Sequence, residues 1–518
     1  MKNAALKAIP LNNRHHEIKE KKDKYLSHPP HSRFWVLILM MTLSSCTVGP
    51  NYQRPAPNAD ITQFKENQDW KLAQPSDDKL PSKWWLLFND PYLNTLVTQV
   101  SINNQLLAQA EAQFRQAQAL VQGAKSAYYP VINANASVNR FKAASGQSVA
   151  VAGVRTLFNT ALSIAWEPDL WGSVRRQVES NQASAQANFA TLQALRLSTQ
   201  ATLVQNYFQL QALDAQKAIL DDTSVIYTQT LKVTQNRYAV GVAAKSDVIQ
   251  AQTQLEALTA QAIDLGVQRA QLEHAIALLM GKTPAGLHIA PLALTSQLPD
   301  IPLTVPSQLL ERRPDIAAAE RQIAAANAQI GVAKAAYFPT VNLSATNGFQ
   351  AGTLSNLFTT AVRYWALGPA AFALPLFDGG ARGAQMAANI AVYDDSVAAY
   401  RQTVLTSFQE VEDQLAALRI LNQEIEVQGR AANLAQQALA LKSNQFQAGT
   451  VSYLEVMTAQ VIALNNKLTV LILFGQRLDA CVLLIKALGG GWQDSEIPSR
   501  DKIGGKAKWS QFLPIPIR

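Results

Sequence analysis

Histidine and cysteine are scarce in this chain of 518 residues. It has six histidines and two cysteines, and four histidines lie before residue 32, so residues 46–518 keep only His274, His288, Cys46 and Cys481. Zinc clusters, disulfide frameworks and paired catalytic histidines all need more of these side chains than the chain supplies. We therefore expect no metal site and no cofactor.

A large excess of basic residues is also missing once the N-terminal 45 residues are set aside. The formal net charge is +8, but residues 1–45 hold eight Lys/Arg and only three Asp/Glu, which leaves +3 for the remainder. The basic balance therefore gives no indication of nucleic-acid binding. With 48 % apolar residues, the chain can bury a sizeable core in two or three domains.

The apolar run near the N-terminus, Phe34–Leu43, is too short to cross a bilayer, where about 20 residues are needed. It follows a basic stretch and precedes two serines and Cys46, which is typical of a signal peptide over residues 1–45. The sequence Leu-Ser-Ser-Cys resembles a bacterial lipoprotein signal, which implies that Cys46 is lipidated. Thr47, where an inner-membrane lipoprotein commonly has aspartate, implies an outer-membrane destination. The alternative is an ordinary secreted protein with a chance cysteine.

The chain contains an internal repeat. Three segments of the first half recur in the second at offsets of 209, 207 and 208 residues: 124–133 as 333–342, 170–175 as 377–382, and 236–252 as 444–460. Three landmarks at nearly one offset predict two copies of one structural unit.

Each copy contains one very long, proline-free helical stretch, Ser173–Asn236 or Gly380–Phe446, which corresponds to helices of ~95–100 Å. Two shorter stretches in each copy have a summed length that matches the long one: 92–127 with 247–280, and 308–337 with 454–487. We interpret the short helices as stacked end to end beside the long helix. From Val248 to Leu279 the apolar steps alternate between three and four with one interruption at Arg269, which predicts a coiled-coil seam.

Between the first short helix and the long helix of each copy, the apolar period changes to two. The segments are Val131–Phe141, Phe158–Trp166, 341–346 and Arg363–Leu374, with Pro369 expected to mark a bulge. Strands of about ten residues with one apolar and one polar face suit a transmembrane β-barrel. A water-soluble hairpin with one buried face has the same pattern.

Four strands cannot close a barrel, and an open sheet edge is not tolerated in lipid. We therefore expect several chains to pool their strands. Three chains would supply twelve strands and a wider lumen than the eight strands of a dimer.

Four motifs, in this order along the chain, resemble the outer-membrane-factor family of TolC-like channels, in particular its NodT-type lipoprotein branch: Cys46–Tyr52 with Pro55, Glu311–Ile316, Ala333–Asn342 and Leu374–Gly380. The resemblance covers roughly residues 46–492. It implies a homotrimer in which a twelve-strand barrel in the outer membrane continues as a twelve-helix tube through the periplasm. A collar around the tube would come from about 60–90, 281–307 and 488–518.

The turns at the end of the long helices form the candidate functional site. Glycine follows each long helix, where it suits a left-handed cap, and an acid lies near the start of the next helix, where it favours the helix dipole. The family resemblance implies that Asp247 and Glu455 close a periplasmic aperture, with Lys245 and Tyr453 as further gate candidates. Residues of the tip turns are then expected to contact an adaptor protein: Gly241, Val242, Gly449 and Thr450.

Motifs that would indicate an enzyme have structural explanations. Gly281-Lys282-Thr283 lacks the earlier glycine of a phosphate-binding loop, because Ile276 stands there. Glu167 and Asp169 lie at a strand-to-helix junction without a base, and Asp378 is expected to cap a helix. Cys481 is expected to be a buried thiol. Trp166 and Trp365 fit an aromatic belt at a membrane surface, with ordinary packing as the alternative.

The sequence thus predicts a mainly α protein with a membrane β-barrel contribution, long coiled-coil helices in an α-barrel, four transmembrane strands per chain, internal duplication and a trimer. The expected divisions are a signal peptide, an anchor segment, repeat 1 with a hairpin at about 131–167, a linker, repeat 2 with a hairpin at about 340–375, and a C-terminal segment: 1–45, 46–91, 92–290, 291–307, 308–488 and 489–518.

The function expected from the sequence and the resemblance is a passive exit duct in the outer membrane. Its partners would be a periplasmic adaptor, an inner-membrane efflux transporter of the RND type and outer membrane lipid. The alternative is a lipid-anchored coiled-coil spacer, which would not need four amphipathic strands. A periplasmic hydrolase would need a nucleophile and base that the sequence does not supply.

Overall fold

The computed structural model describes residues 47–56, 64–66, 82–142, 153–292, 294, 299 and 311–505. The expected signal peptide, Cys46 and parts of the expected collar lie outside these residues. Within them, helices and strands follow in this order: α1 Pro91–Asn103, α2 Gln105–Ser126, β1 Val131–Lys142, β2 Val154–Trp166, α3 Ser173–Ala239, α4 Lys245–Leu279, α5 Pro314–Ala335, β3 Thr340–Ala351, β4 Arg363–Ala373, α6 Ala381–Gln447 and α7 Tyr453–Ala487.

The two long helices, α3 and α6, each have 67 residues and are therefore about 100 Å long. α1, α2 and α4 pack along α3, while α5 and α7 lie between α3 and α6 and contact both. This arrangement confirms the interpretation that short helices stack end to end beside a long one. It leaves α2 and α4 on one side of the helical layer and α6 on the other.

The first short helix is broken at Asn104, where the sequence analysis expected one helix over 92–127. The Asn104 side chain accepts hydrogen bonds from the backbone N–H groups of Leu106 and Leu107 and so caps α2. Its amide group donates to the carbonyl oxygen of Leu279 at 2.8 Å. This buried side chain thereby joins the end of α4 to the junction of α1 and α2.

Arg313 makes the matching joint in the second half of the chain. Its guanidinium donates to the carbonyl oxygen of Ala487, the last residue of α7, at 3.0 Å. It also pairs with Glu410 of α6 and with Asp315, both at 2.7 Å. A buried arginine thus satisfies the C-terminal end of α7 where α5 begins.

The predicted coiled-coil seam of α4 is confirmed. Ala251, Leu258 and Ile276 are buried along it. Arg269, which interrupts the apolar pattern, forms an ion pair of 2.6 Å with Asp214 of α3. The interruption is therefore a satisfied polar contact within the seam.

The largest core cluster lies about midway along the helices. Trp84 and Phe88, in a short 3-10 helix before α1, pack with Phe208 of α3 and Val482 of α7. Trp84, Phe208 and Val482 are fully buried. α7 is long and apolar enough to cross a membrane by composition, but half of its most apolar window is buried inside the chain itself.

The four strands form one antiparallel sheet in the order β1-β2-β3-β4. The strands start and end next to the helices, so the helices all leave from one end of the sheet. The register between β3 and β4 shifts between Leu343 and Ala345, opposite Gly368 and Pro369, which confirms the expected bulge. β1 and β4 are the edges of this sheet.

The cross-strand register divides the sheet into two faces. One face is apolar and lies exposed on the single chain; it carries Ile132, Val138, Leu162, Ile164, Trp166, Trp365, Leu367 and Phe372. The opposite face carries Asn133, Asn135, Asn159, Ser163, Asn342 and Thr346. Large apolar side chains on an open face need a non-aqueous neighbour.

Candidate functional site

The turn after α3 begins with a left-handed glycine. Gly241 has a φ of 79° and donates its backbone N–H to the carbonyl oxygen of Tyr238, while Val242 donates to that of Arg237. These two hydrogen bonds form a Schellman cap, which satisfies carbonyl groups at the end of the helix. Because glycine has no Cβ, it adopts this conformation without steric strain.

The turn after α6 has the same geometry. Gly449 has a φ of 78° and donates to the carbonyl oxygen of Phe446, and Thr450 donates its N–H to that of Gln445. The Thr450 hydroxyl makes a second hydrogen bond to the same Gln445 oxygen at 3.0 Å. The two turns therefore present matching backbone geometry at the end of the helices far from the sheet.

Arg237 joins the two turns. Its guanidinium donates to the carbonyl oxygen of Phe446 at 2.8 Å and lies 4.5 Å from the centroid of the Phe446 ring. A cation at the C-terminal end of α6 interacts favourably with the helix dipole. No local pattern in the sequence indicates this role of Arg237, because its partner is 209 residues away.

Asp247 and Glu455 occupy corresponding positions, three residues after the N-caps Ala244 and Ser452. Their backbone N–H groups donate to the carbonyl oxygens of those N-cap residues. The Glu455 carboxylate pairs with Lys442 of α6 at 2.6 Å, across the turn. Lys442 is a second residue that the sequence analysis missed.

Lys245 is the first residue of α4 and its side chain is exposed. Within the described part of the chain, it makes no ion pair with Asp247 or Glu455. The cation next to Glu455 is therefore Lys442, and Lys245 lies exposed at the surface of the tip.

Tyr453 lies beneath the turn layer, 3 % exposed, with its ring centroid 5.9 Å from that of Phe446. It belongs to a cluster with Ala251, Phe446 and Val456, and Leu231 of α3 packs against this cluster, so the ends of four helices meet there. Burial raises the pKa of Tyr453 to about 12, and Tyr227 and the charge of Asp247 add to this. The phenol is therefore neutral at physiological pH.

The chemistry of this arrangement suits packing and charge pairing at the end of the helices. It combines rigid capped turns, an apolar cluster and exposed charges of both signs. Among the described residues, no group of three or more His, Cys, Asp or Glu side chains could hold a metal ion.

Three of the residues considered for catalysis, Asp169, Asp378 and Cys481, have structural explanations. The Asp169 carboxylate accepts hydrogen bonds from the backbone N–H groups of Val174 and Arg175 at the start of α3. Asp378 does the same for Arg382 at the start of α6, although the N-cap position itself is Gly380. Cys481 is 4 % exposed, and burial raises the pKa of its thiol to about 12, so it is a poor nucleophile.

Trp166 and Trp365 lie on the same apolar face of the sheet but at different positions along it. Trp166 is the last residue of β2, next to the helices, and its indole N–H donates to the carbonyl oxygen of Tyr128 at 3.1 Å. Trp365 lies near the far end of β4, opposite Asn347, and is 74 % exposed.

The first described residues run beside the junction of sheet and helices. Val48 donates its N–H to the carbonyl oxygen of Trp171, and the Arg176 guanidinium donates to the carbonyl oxygens of Val48 and Gly49. Gly49 lies against Gly331 of α5 so closely that a Cβ there would be 2.5 Å from the Gly331 Cα. This segment is therefore fixed directly below the sheet.

The chain is similar to known proteins over most of its length. A family model described as "Outer membrane efflux protein" matches residues 96–282 and 305–490. Outer membrane protein OprJ of Pseudomonas aeruginosa is 31 % identical over 88 % of this chain and 95 % of its own length. The cation efflux system protein CusC of Escherichia coli is 29 % identical over 88 % of this chain and 97 % of its own.

The fold is also similar to solved structures of outer membrane channels. The outer-membrane channel OprN superposes with a TM-score of 0.81 at 31 % identity, covering 86 % of this chain and all of its own. A CusC structure gives a TM-score of 0.76 at 28 % identity, with 86 % of this chain covered.

Proposed function

Because this chain belongs to the family of outer membrane efflux proteins and is an exit duct of the outer membrane that extends into the periplasm, we propose that it acts as a homotrimer with one continuous passage. Three sheets would form a twelve-strand barrel and three helical layers a tube. The observation that carries this proposal is the pair of open edges, β1 and β4, on a sheet whose apolar face is exposed.

The edges of the two layers support head-to-tail closure. β1 and β4 run in opposite directions, so β4 of one copy can pair with β1 of the next as an antiparallel neighbour. The helical layer is open on the same two sides, at α2 and α4 and at α6. Heterologous contacts of this kind form a ring when the rotation closes.

The internal duplication is part of the proposal. Its support is the equal length of α3 and α6, the matching caps at Gly241 and Gly449, and the repeated landmarks in the sequence. Two copies of one unit per chain would give the trimer a sixfold pseudosymmetry.

Native mass spectrometry of the detergent-extracted protein, followed by planar-bilayer recording, tests the assembly. We expect a homotrimer that conducts ions. If a monomer or a dimer is the main species and still conducts ions, the proposed trimer is refuted. A trimer that never conducts would favour the coiled-coil spacer instead.

The proposed anchor is a lipid on Cys46. Its support is the position of Thr47, whose side chain contacts Gly172 at the start of α3, just below the sheet. An acyl chain on the preceding residue would then begin at the membrane surface. Mass spectrometry of the mature protein should find acyl chains on Cys46, and an unmodified cysteine would refute the anchor. Cys46→Ser should impair maturation or sorting more than folding, because the barrel also holds the trimer in the membrane.

The proposed gate is the layer formed by the two turns. In a trimer, Asp247 and Glu455 would contribute six carboxylates at one level, with Lys442 and Lys245 as the nearby cations. A ring of acids attracts cations and sets the selectivity of a narrow opening. Packing of Tyr453 under the turns supports a closed resting state.

Homologues are outer membrane components of efflux pumps, which implies an adaptor and an inner-membrane transporter as partners. We infer that the adaptor contacts the exposed tip turns at Gly241, Val242, Gly449 and Thr450, and that the transporter is of the RND type. Pull-down of candidate adaptors with the full-length trimer, with and without Val242→Asp, tests the contact. Unchanged retention with this variant would place the contact elsewhere.

A further inference from the structure

The sheet has an uneven distribution of charge. No Asp or Glu occurs in residues 128–166 or 337–377, and the only cations there are Arg140, Lys142, Arg155 and Arg363. Arg140 and Lys142 end β1, Arg155 is the second residue of β2, and Arg363 begins β4. All four therefore lie at the end of the sheet far from the helices.

Three of these cations share the apolar face. Arg140 and Lys142 lie on the same face of β1 as Ile132 and Val138, and Arg363 lies on the same face of β4 as Trp365. Arg155 pairs with Phe141 and lies on the polar face. All four side chains are exposed, and none makes an ion pair within the described part of the chain.

The height of these residues matches the edge of an apolar layer. Arg140 is nine residues after Val131, which is about 30 Å along the strand. With a strand tilt of about 40°, this is ~23 Å above the start of the sheet, close to the ~25 Å apolar band of membrane barrels. A cation on the lipid-facing side is least costly at this level.

We propose that Arg140, Lys142 and Arg363 form a basic rim that binds the phosphate groups of an anionic lipid in the outer leaflet. The inference rests on the proposed insertion of the sheet as a barrel. Because the helices extend into the periplasm, the opposite end of the sheet faces the outer leaflet. Guanidinium and ammonium groups without acidic partners match phosphate in charge and hydrogen bonding.

Closure of the ring would concentrate these charges. Arg363 lies on one edge strand, and Arg140 and Lys142 lie on the other. Pairing β4 with β1 of the next copy therefore brings Arg363 toward Arg140 and Lys142 of that copy. Each boundary between copies would carry one cluster of three cations, which suits a head group with more than one phosphate.

Native mass spectrometry of the full-chain trimer with titrated bisphosphorylated lipid A tests the basic rim. Near a membrane surface each cation contributes about fivefold in affinity, so the triple variant Arg140→Gln, Lys142→Gln, Arg363→Gln should bind on the order of 100-fold more weakly. Dephosphorylated lipid A should bind the unmodified trimer as weakly. Inorganic phosphate in excess should not displace the lipid.

Arg155→Gln is the matched control, because it removes a cation at the same end from the polar face. If the triple variant binds lipid A as tightly as the unmodified trimer does, the basic rim is refuted. It is also refuted if Arg155→Gln weakens lipid A binding as much as the triple variant does, or if inorganic phosphate displaces the lipid. Planar-bilayer recording of the same samples separates the two proposals. A conducting trimer that fails to bind lipid A refutes the rim alone, whereas failure to form a conducting trimer refutes the barrel.

Discussion

The guanidinium of Arg237, near the end of α3, donates a hydrogen bond to the carbonyl oxygen of Phe446, near the end of α6, and lies over its ring. The contact joins the two turns at the end of the helices far from the sheet. Each turn carries one of the acids proposed for the gate, so a change at Arg237 acts on both.

Arg237→Ala should loosen the turn layer. Loss of a cation at a helix end and of its contact with an aromatic ring costs about 1–2 kcal/mol. The open fraction in single-channel recordings should therefore rise roughly 5- to 30-fold. Lys217→Ala, which removes an exposed ion pair with Asp221 along α3, is the control and should leave gating unchanged. Identical open fractions for Arg237→Ala and the unmodified channel would show that the two turns move independently.

Alanine at Gly241 or Gly449 should destabilise the closed tip. Both glycines have positive φ, and a Cβ would meet no close contact at Gly241 and only an ordinary one at Gly449. The cost is therefore backbone strain alone, about 1–2 kcal/mol at each position. Thermal unfolding of the trimer measures it. Gly429→Ala, inside α6 with open space around it, should instead be neutral or stabilising; destabilisation of equal size there would contradict the assignment.

Stability should depend on the ionisation of Asp479 in α7. Burial raises the pKa of this carboxyl to about 6, although Gln209 donates a hydrogen bond to it. The folded state then holds the proton more tightly than the unfolded state, so stability falls as pH rises from about 4 through 6. Asp479→Asn should raise the midpoint of thermal unfolding at pH 7.5 and leave it unchanged at pH 4.

The exposed Asp413 of α6 provides the control for that measurement. Asp413→Asn should shift the midpoint little at either pH. If Asp479→Asn raises the midpoint of thermal unfolding equally at pH 4 and pH 7.5, the increase comes from packing and not from ionisation.

The sequence predicted the helices, strands and turns because their signals are local. Gly241 and Gly449 follow long periodic helices, and the alternation in β1 needs no partner to be visible. The break at Asn104 was missed because neither proline nor glycine marks it, and its cap is completed by Leu279 from a distant helix.

The contacts at the candidate site were less predictable. The sequence placed Asp247 and Glu455 in the turn layer, but the nearest cation of Glu455 is Lys442, 13 residues earlier on α6. That pairing depends on how two antiparallel helices are offset, which periodicity does not determine. Arg237 is similar, since its role exists only after the two halves of the chain have packed together.

Single-channel recording of the trimer with Asp247→Ala and Glu455→Ala combined tests most directly whether this end of the tube is the gate. Carboxylates gathered at one level attract cations, so their removal should lower cation preference and divalent block even if the width of the opening is unchanged. Asp221→Ala removes an exposed carboxylate of α3 that pairs with Lys217, and it should leave both properties unchanged. If the double variant matches the unmodified channel in conductance, cation preference and divalent block, the two acids act only as helix caps and the passage is closed elsewhere.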